Sequence, residues 1–509
     1  MNWSTYQEAI LKEAVEGDKH LAVVACPGSG KTTTLIEAGA RIDPARSVLF
    51  AAFGREIARV LRDRATRGNV KTIHGEGLTT LYRELDQRQE PKVDEDKTFD
   101  LVRGVVAPEV VKRLGGESAD RIAALVFAVR TAKDVLAGLP LVQRLNARPW
   151  RTREELRDFD LSRVSTEEIA PLTDLVARFR IETAPSDPDA LHLFGLTVLR
   201  LLAGSMRKID VFDYADMCWL PVARNLAPQT YDDVLVDEWQ DLSPSQNALV
   251  MRMLKPASRL IAVGDPNQAI YQWRGAHVRA FDDLVSVHGA RTMPLPISYR
   301  CPRRVVELAW QVNEDIEIAP NAIDGVVRDA PRSEILTGAR AGDMILSRYN
   351  APLIALALAL HRRKVPSFVL GETIGEELAK FASRFHAPTK EEARAKLMRW
   401  WEREVEERAK AKVQRSIADL EDRRSTVLAL LDDGASDDLA YRLRQVFRIV
   451  RGDKRIVLSS THQAKGLEAD RVWMLEDTYD FDGIESRNLW YVAITRAKKE
   501  LVLTTQEKR

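Results

Sequence analysis

Nine short runs of apolar, largely β-branched residues constrain this chain more than any other feature: "LAVVAC", "SVLFAA", "DVLVD", "RLIAVGD", "DMILSR", "SFVLG", "RIVLSS", "RVWML" and "ELVLTT". Each is nearly continuous rather than alternating, so both faces of the strand it forms need cover. Most are flanked by stretches with helical periodicity. Strands of this kind alternating with helices build parallel sheets wrapped by helices on both sides. The expected class is α/β. The runs fall into groups near residues 21–52 and 233–264, and again near 292–370 and 456–505. Between the groups, residues 81–204 read as amphipathic helices with polar breaks, and residues 372–450 as helical and highly charged. The expected organisation is a first sheet domain from 1–80 and 205–288, with a helical insertion at 81–204. A second comes from 289–371 and 451–509, with a short charged insertion at 372–450.

In that second insertion Ala393, Leu397, Trp401, Val405, Ala409, Val413 and Ile417 recur every four residues. Each such step overshoots a helical turn by about 40°, so the stripe winds around a helix and is not a coiled-coil seam. One long helix touching different partners along its length fits this pattern. A broken helix pair with a largely solvated surface fits it equally.

Composition narrows the setting. The 509 residues are 45% hydrophobic and 30% charged, with a net charge of +1. No global basic field is present, so a nucleic-acid partner would have to be met by a local groove. Cys26, Cys218 and Cys301 have neither zinc-site nor disulfide-framework spacing, which points to a reducing, cytoplasmic setting. The N-terminal "MNWSTYQEAILKEAVEGDK" is too charged for a secretory signal. The longest apolar run, "APLIALALAL", is about half of what a membrane span needs, and no membrane partner is expected.

"ACPGSGKTTT" follows the first apolar run and precedes a helical stretch, the order that a phosphate-binding loop requires. Gly28 and Gly30 let backbone N–H groups turn toward phosphates. Lys31 supplies a point charge to the β/γ oxygens, and the Thr32 hydroxyl suits Mg²⁺. Ala25 stands where the pattern usually has its first glycine. "VLVDEWQD" then ends an apolar strand in Asp237 and Glu238. One carboxylate there can hold Mg²⁺, and the next can act as base for an attacking water. "RLIAVGDPNQAIYQWRGA" carries Asp265 and Gln268, an amide able to report on the γ-phosphate, and then Tyr271, Trp273 and Arg274. Rings and a guanidinium in a short polar segment suit stacking on unpaired bases; a place in the core is the plainer alternative for the two rings.

Taken together, "ACPGSGKTT", "VDEWQD", "VGDPNQAIYQWRGA", "SYR", "THQAKGLEADRV" and "NLWYVAITRAKKEL" resemble, in order, the motifs of UvrD/Rep/PcrA-type superfamily 1 DNA helicases. The resemblance runs from Gln7 to Lys499. It implies two RecA-like P-loop domains with parallel sheets, binding ATP with Mg²⁺. Gln7 matches the glutamine that reads adenine, and Tyr299 the ring that stacks on it. Gly28, Ser29, Gly30, Lys31, Thr32 and Thr33 match the phosphate loop. Arg300 and Arg496 match two arginines that reach the γ-phosphate, and Glu468 a residue near the ribose. Phe53, His74, Tyr271, Trp273, Arg274 and His462 match single-strand contacts, although either histidine taken alone reads as structural.

Three departures stand out. "FGREIA" replaces commoner wording after Phe53. Thr33 and Thr34 follow the phosphate loop where many members soon carry a nucleotide-contacting arginine. The second insertion is small, and the sequence stops just after the last strand, so neither a protein-docking tail nor a nuclease domain is expected.

The resemblance implies an ATP-dependent helicase that tracks 3′ to 5′ on single-stranded DNA and opens tailed duplexes. A translocase that displaces proteins, or that needs an accessory partner to unwind, is the alternative. A non-catalytic strand-binding module is disfavoured by the intact set of Lys31, Asp237, Glu238, Gln268, Arg300 and Arg496. Pathway, oligomeric state and partner proteins are not legible in the sequence.

Overall fold

The computed structural model describes residues 3–506 except 85–91, 116–117, 147–160, 162–163, 180, 182, 209, 273–274, 277–278, 411–414, 434–437 and 449–454. The chain divides into two compact units, Met1–Ala25 with Gly30–Leu295, and Cys26–Ser29 with Pro296–Arg509.

The first unit is built on a six-stranded, all-parallel sheet. Its strands are β1 (Leu21–Ala25), β2 (Val48–Ala52), β3 (Asn69–Thr72), β6 (Tyr231–Val236), β7 (Leu254–Gly264) and β8 (Arg291–Leu295). The order across the sheet is β3-β2-β6-β7-β1-β8; β4 (Lys92–Val93) and β5 (Val211–Phe212) form a separate two-stranded ladder. The continuous apolar runs are explained by cover on both faces. Leu21, Val23 and Ala25 join helices Thr5–Glu16 and Lys31–Arg41 in one core, while Ala22 packs in another with Leu249 and Val250 of helix Pro244–Arg252. The unit boundary lies after Leu295, where the sequence pattern placed it after 288, because β8 pairs with β1 from Leu21↔Arg291 to Ala25↔Leu295.

Helices between β3 and β6 form a third core around Leu101, Ala128, Phe194, Leu202 and Trp219. Helix Pro188–Arg207 is, among the described residues, the one helix long and apolar enough to cross a bilayer. Phe194, Val198, Leu201 and Leu202 spend that apolar surface inside this core.

The second unit repeats the plan. Its parallel sheet has the order β11-β16-β15-β12-β14-β13, from strands β11 (Val326–Pro331), β12 (Met344–Ser347), β13 (Ser367–Val369), β14 (Ile456–Ser460), β15 (Ala469–Leu475) and β16 (Ala497–Thr505). The short pair β9 (Ile297–Ser298) and β10 (Glu317–Ile318) stands apart. Met344, Leu346, Val472 and Met474 face one core; Ile345, Trp473 and Leu475 face the other. The charged segment is not one long helix but helices Glu372–Ser383, Lys390–Lys410, Arg415–Asp432 and Leu439–Phe447. Ala393 and Leu397 are buried in the same core as β14, whereas Trp401 and Val405 are half-buried. Side chains at 409, 413 and 417 lie outside the described residues.

Candidate nucleotide and DNA site

Both sheets are parallel, so their strands present a row of C-terminal ends, where crevices for ligands form in open α/β sheets. In the first unit β1, β7 and β6 are neighbours. The phosphate loop, Asp265 and Asp237 follow these three strands, which brings segments more than 200 residues apart to one edge.

The loop leaves β1 and enters helix Lys31–Arg41 through Gly28 (φ +73°) and Gly30 (φ +82°), both left-handed, a conformation that a side chain strains. Gly30 is the helix N-cap and offers no side chain to its first N–H groups. An uncapped helix start after such a turn is an anion site. Ser29 is buried, its hydroxyl donating to Cys26 O at 2.9 Å. Residues 26–29 belong to the second unit, in which Ser298 Oγ donates to Pro27 O (2.7 Å) and Tyr299 N to Gly28 O (3.0 Å).

Gln7 is nearly buried. It closes a capping box with Ser4, and its Nε2 donates to Thr34 Oγ1 at 3.1 Å. Thr33 accepts from Arg64 of helix Arg55–Arg64 at 2.8 Å. The sequence reading missed this guanidinium beside the loop, because the pairing spans 31 residues and has no local signal.

Thr32 Oγ1 donates to Asp237 Oδ2 at 2.5 Å, and Lys31 Nζ stands 4.0 Å from Glu238 Oε1. Burial, reinforced by the Glu238 charge, pushes the Asp237 carboxyl up to about 6. A buried carboxylate beside a half-buried one and a hydroxyl is a hard-oxygen donor set in need of positive charge, and it fits Mg²⁺. No cluster of three or more His, Cys, Asp or Glu side chains suited to a metal occurs among the described residues. Mg²⁺ takes one or two carboxylates and completes its shell with water and phosphate oxygens.

Glu238 sits at φ +57°, left-handed without being glycine. Such backbone costs about 1–3 kcal/mol and tends to cluster at active sites. Gln240 holds its carboxylate, Nε2 donating to Glu238 Oε2 at 2.6 Å. The other end of the same amide, Oε1, accepts Asp265 N at 3.0 Å. Asp265, buried and shifted upward by that burial, accepts Gln268 Nε2 at 2.7 Å. Gly264 makes room for this: a Cβ there would lie 2.0 Å from Gln240 Oε1. Gln240 was not singled out in the sequence, although its place two residues after the acid pair was available as a signal.

The Gln268 loop leads to Tyr271, which is half-buried and stacks on Phe53 with ring centroids 6.3 Å apart and planes 22° apart. Phe53 follows β2. His74 follows β3 and is held neutral by burial, which lowers its pKa. Trp273 and Arg274 lie outside the described residues. A cavity of about 670 Å³ opens at the opposite, N-terminal edge of the sheet, lined by Lys19, His20, Arg46, Arg259 and His288 among others; it contains none of the expected site residues.

In the second unit Tyr299 is 48% exposed. Arg300 Nε pairs with Glu468 Oε2 at 2.6 Å, a contact between two residues to which the sequence assigned separate roles. Arg496 is 1% exposed, its guanidinium turned onto Val492 O (2.8 Å), Leu467 O (3.3 Å) and Thr495 Oγ1 (3.2 Å). His462 is half-buried just after β14.

The chain is similar in sequence to several DNA helicases. The chain is 23% identical over 561 aligned residues to F-box DNA helicase protein 1 of Schizosaccharomyces pombe, covering 98% of this chain and 57% of that protein. It is 24% identical to DNA helicase IV of Escherichia coli, over 60% of this chain and 46% of the relative. It is 29% identical to the ATP-dependent DNA helicase Rep of Buchnera aphidicola, over 20% of this chain and 17% of the relative. The chain thus spans between 17 and 57% of the length of these relatives. The profile of UvrD-like helicase C-terminal domains matches residues 455–504, which carry His462, Glu468 and Arg496. The profile of UvrD/REP helicase N-terminal domains matches residues 5–286, more than half of the chain and all of the phosphate-loop edge, so the chain belongs to the UvrD/REP helicase family.

Proposed function

We propose that the chain is an ATP-driven motor that moves 3′ to 5′ along single-stranded DNA and separates duplex DNA as it advances. One observation carries the proposal: the hydrogen-bonded run Glu238–Gln240–Asp265–Gln268, which joins the acid pair at the phosphate loop to the loop bearing the stacked Tyr271. A shift of the carboxylate at the phosphate is passed along that run to rings suited to grip bases.

In the proposed cycle Glu238 accepts a proton from water as its oxygen bonds to the γ-phosphorus. The bond to the bridging oxygen breaks, and ADP and phosphate leave. Lys31 and the open N–H groups of its helix neutralise the phosphates, Gln268 reports on the γ-phosphate, and Gln7 and Tyr299 flank the adenine. Mg²⁺, held by Thr32 and Asp237, would supply charge neutralisation at the phosphate oxygens. Arg300 and Arg496 are proposed as the arginines for the γ-phosphate. Each would exchange its present partner for that charge, Glu468 in one case and backbone carbonyls in the other. Phe53, His74, Tyr271, Trp273, Arg274 and His462 would hold the strand without reading base identity. Motion requires grip to differ between nucleotide states, since equal grip would move nothing. A reducing cytoplasmic setting is part of the reading; Cys26, Cys218 and Cys301 are all buried.

A second reading, translocation without unaided unwinding, is favoured by one observation. Leu378, Leu397, Val427 and Leu443 of the 372–447 helices are buried in the core of the second sheet, so that surface is spent on packing and not on a separate body to clasp duplex.

The test is ATP hydrolysis with and without oligo(dT). Wild type is expected to be stimulated by the strand, while Lys31→Ala and Glu238→Gln lose turnover in both conditions. Substantial hydrolysis in a clean Glu238→Gln sample would sink the assignment of the base.

A further inference from the structure

The cavity at the N-terminal edge of the first sheet takes no part in the proposed cycle. Its volume of about 670 Å³ lies within the range of small-ligand pockets and far exceeds what a bare ion fills. Distant parts of the chain line it. Lys19 and His20 come from the link between helix Thr5–Glu16 and β1, Arg46 from just before β2, Arg259 from β7, and His288 from the turn between helix Ala280–Ser286 and β8. Asp18 is the one acid in this lining.

Two of the cations are fixed in advance. Arg46 Nε donates to Asp233 Oδ2 at 2.6 Å and its Nη2 to Oδ1 at 3.0 Å; Arg259 Nε donates to the same Oδ1 at 3.2 Å. Arg259 is buried and also closes the last turn of helix Thr5–Glu16, its Nη2 donating to Ala14 O at 2.6 Å. Two guanidiniums thus share one carboxylate. The neighbouring Asp232 is spent on Lys255 Nζ at 2.7 Å and on the hydroxyl and N–H of Ser47 at 2.6 and 2.8 Å. Side chains held in this way lose little freedom when a ligand arrives.

The other cations are open. Lys19 and His288 are exposed, and among the described residues neither pairs with an acid. His20 is half-buried, and its Nδ1 accepts Leu260 N at 3.0 Å. Its ring proton therefore sits on Nε2, ready to donate. Burial lowers the His20 pKa, and so does His288, whose charge opposes its own. An anion between the two imidazoles would remove that opposition. The backbone points the same way. Ala257, also in the lining, sits at φ +60°, left-handed without being glycine, and such residues cluster at ligand sites. A carboxylate can be satisfied by one arginine. Several separate cations around one space suit a dianion better.

We propose that this cavity is a binding site for a small phosphorylated molecule, with its phosphate held by Lys19, His20, Arg46 and His288. The site lies at the opposite sheet edge from the phosphate loop, and the inference does not depend on the chain being a motor.

The experiment titrates inorganic pyrophosphate into the full chain carrying ¹³C-labelled histidine and follows the ring signals, those of His20 and His288 being assigned with His20→Gln and His288→Gln. Both signals are expected to shift and to saturate below about 1 mM. Lys31→Ala should leave the midpoint unchanged. Lys19→Glu, a change at an exposed side chain, should raise it about 10-fold. Absence of saturation, or an unchanged midpoint in Lys19→Glu, would overturn the site. Loss of the shifts in Lys31→Ala would trace them to the phosphate loop and overturn it as well. Sulfate with the same midpoint would mean an adventitious ion only. A short blunt DNA duplex that moves the same two signals more strongly than pyrophosphate would assign the cations to the DNA backbone and overturn the small-molecule ligand.

Discussion

Burial and the adjacent Glu238 charge hold the Asp237 carboxyl near about 6, above its ordinary value of 3.8. The folded chain therefore binds that proton more tightly than the unfolded chain does. Ionising Asp237 opposes folding: the cost is absent below about 3.8 and fully present above about 6. Asp237→Asn is accordingly expected to raise stability by up to about 3 kcal/mol near pH 7.5, with the difference vanishing near pH 4, while ATP turnover is lost. Melting curves of variant and wild type at both pH values check this; a variant that melts below wild type at the higher pH would contradict it. Asp237 and Glu238 stood out in the sequence because the acid pair ends an apolar run in a chain that also carries a phosphate-loop pattern; alone it would read as an acidic loop cap. The left-handed backbone at Glu238 was not legible, since nothing in "VDEWQ" sets a glutamate at φ +57°. Nor was the Arg300–Glu468 ion pair, whose partners are joined by the fold of the second sheet and not by spacing.

At the scale of elements, the strands that declared themselves are the ones covered on both faces. β3, "NVKT", escaped notice because it is an edge strand with mostly half-exposed side chains, and an edge needs no continuous apolar run. β8 at the other edge contains Pro294, which a central strand would not tolerate. The four-residue stripe from Ala393 showed that contacts would change along the segment, but not where the helix would break. The link between the ends of β6 and β7 is an element-scale device as well, since Gln240 spans Glu238 and Asp265 with the two ends of one amide. Gln240→Ala is expected to reduce DNA stimulation of hydrolysis by a larger factor than it reduces basal hydrolysis. Parallel assays with and without oligo(dT) measure the ratio; equal loss of both would mean that Gln240 only orients the base.

For the whole molecule, two units of the same plan divide between them the residues of the proposed cycle. The first holds Lys31, Asp237, Glu238 and the stacked rings; the second holds Tyr299, Arg300, Glu468 and Arg496. Arg300 and Arg496 are engaged within their own unit, so on the proposed cycle their transfer to the phosphate is a step that nucleotide must drive. The most direct test of that coupling is strand separation with Mg-ATP on duplexes carrying either a 3′ or a 5′ single-stranded tail, with Lys31→Ala as control. The account predicts separation of the 3′-tailed duplex alone, abolished in the control. Separation from the 5′ tail, or separation that persists in Lys31→Ala, would contradict it.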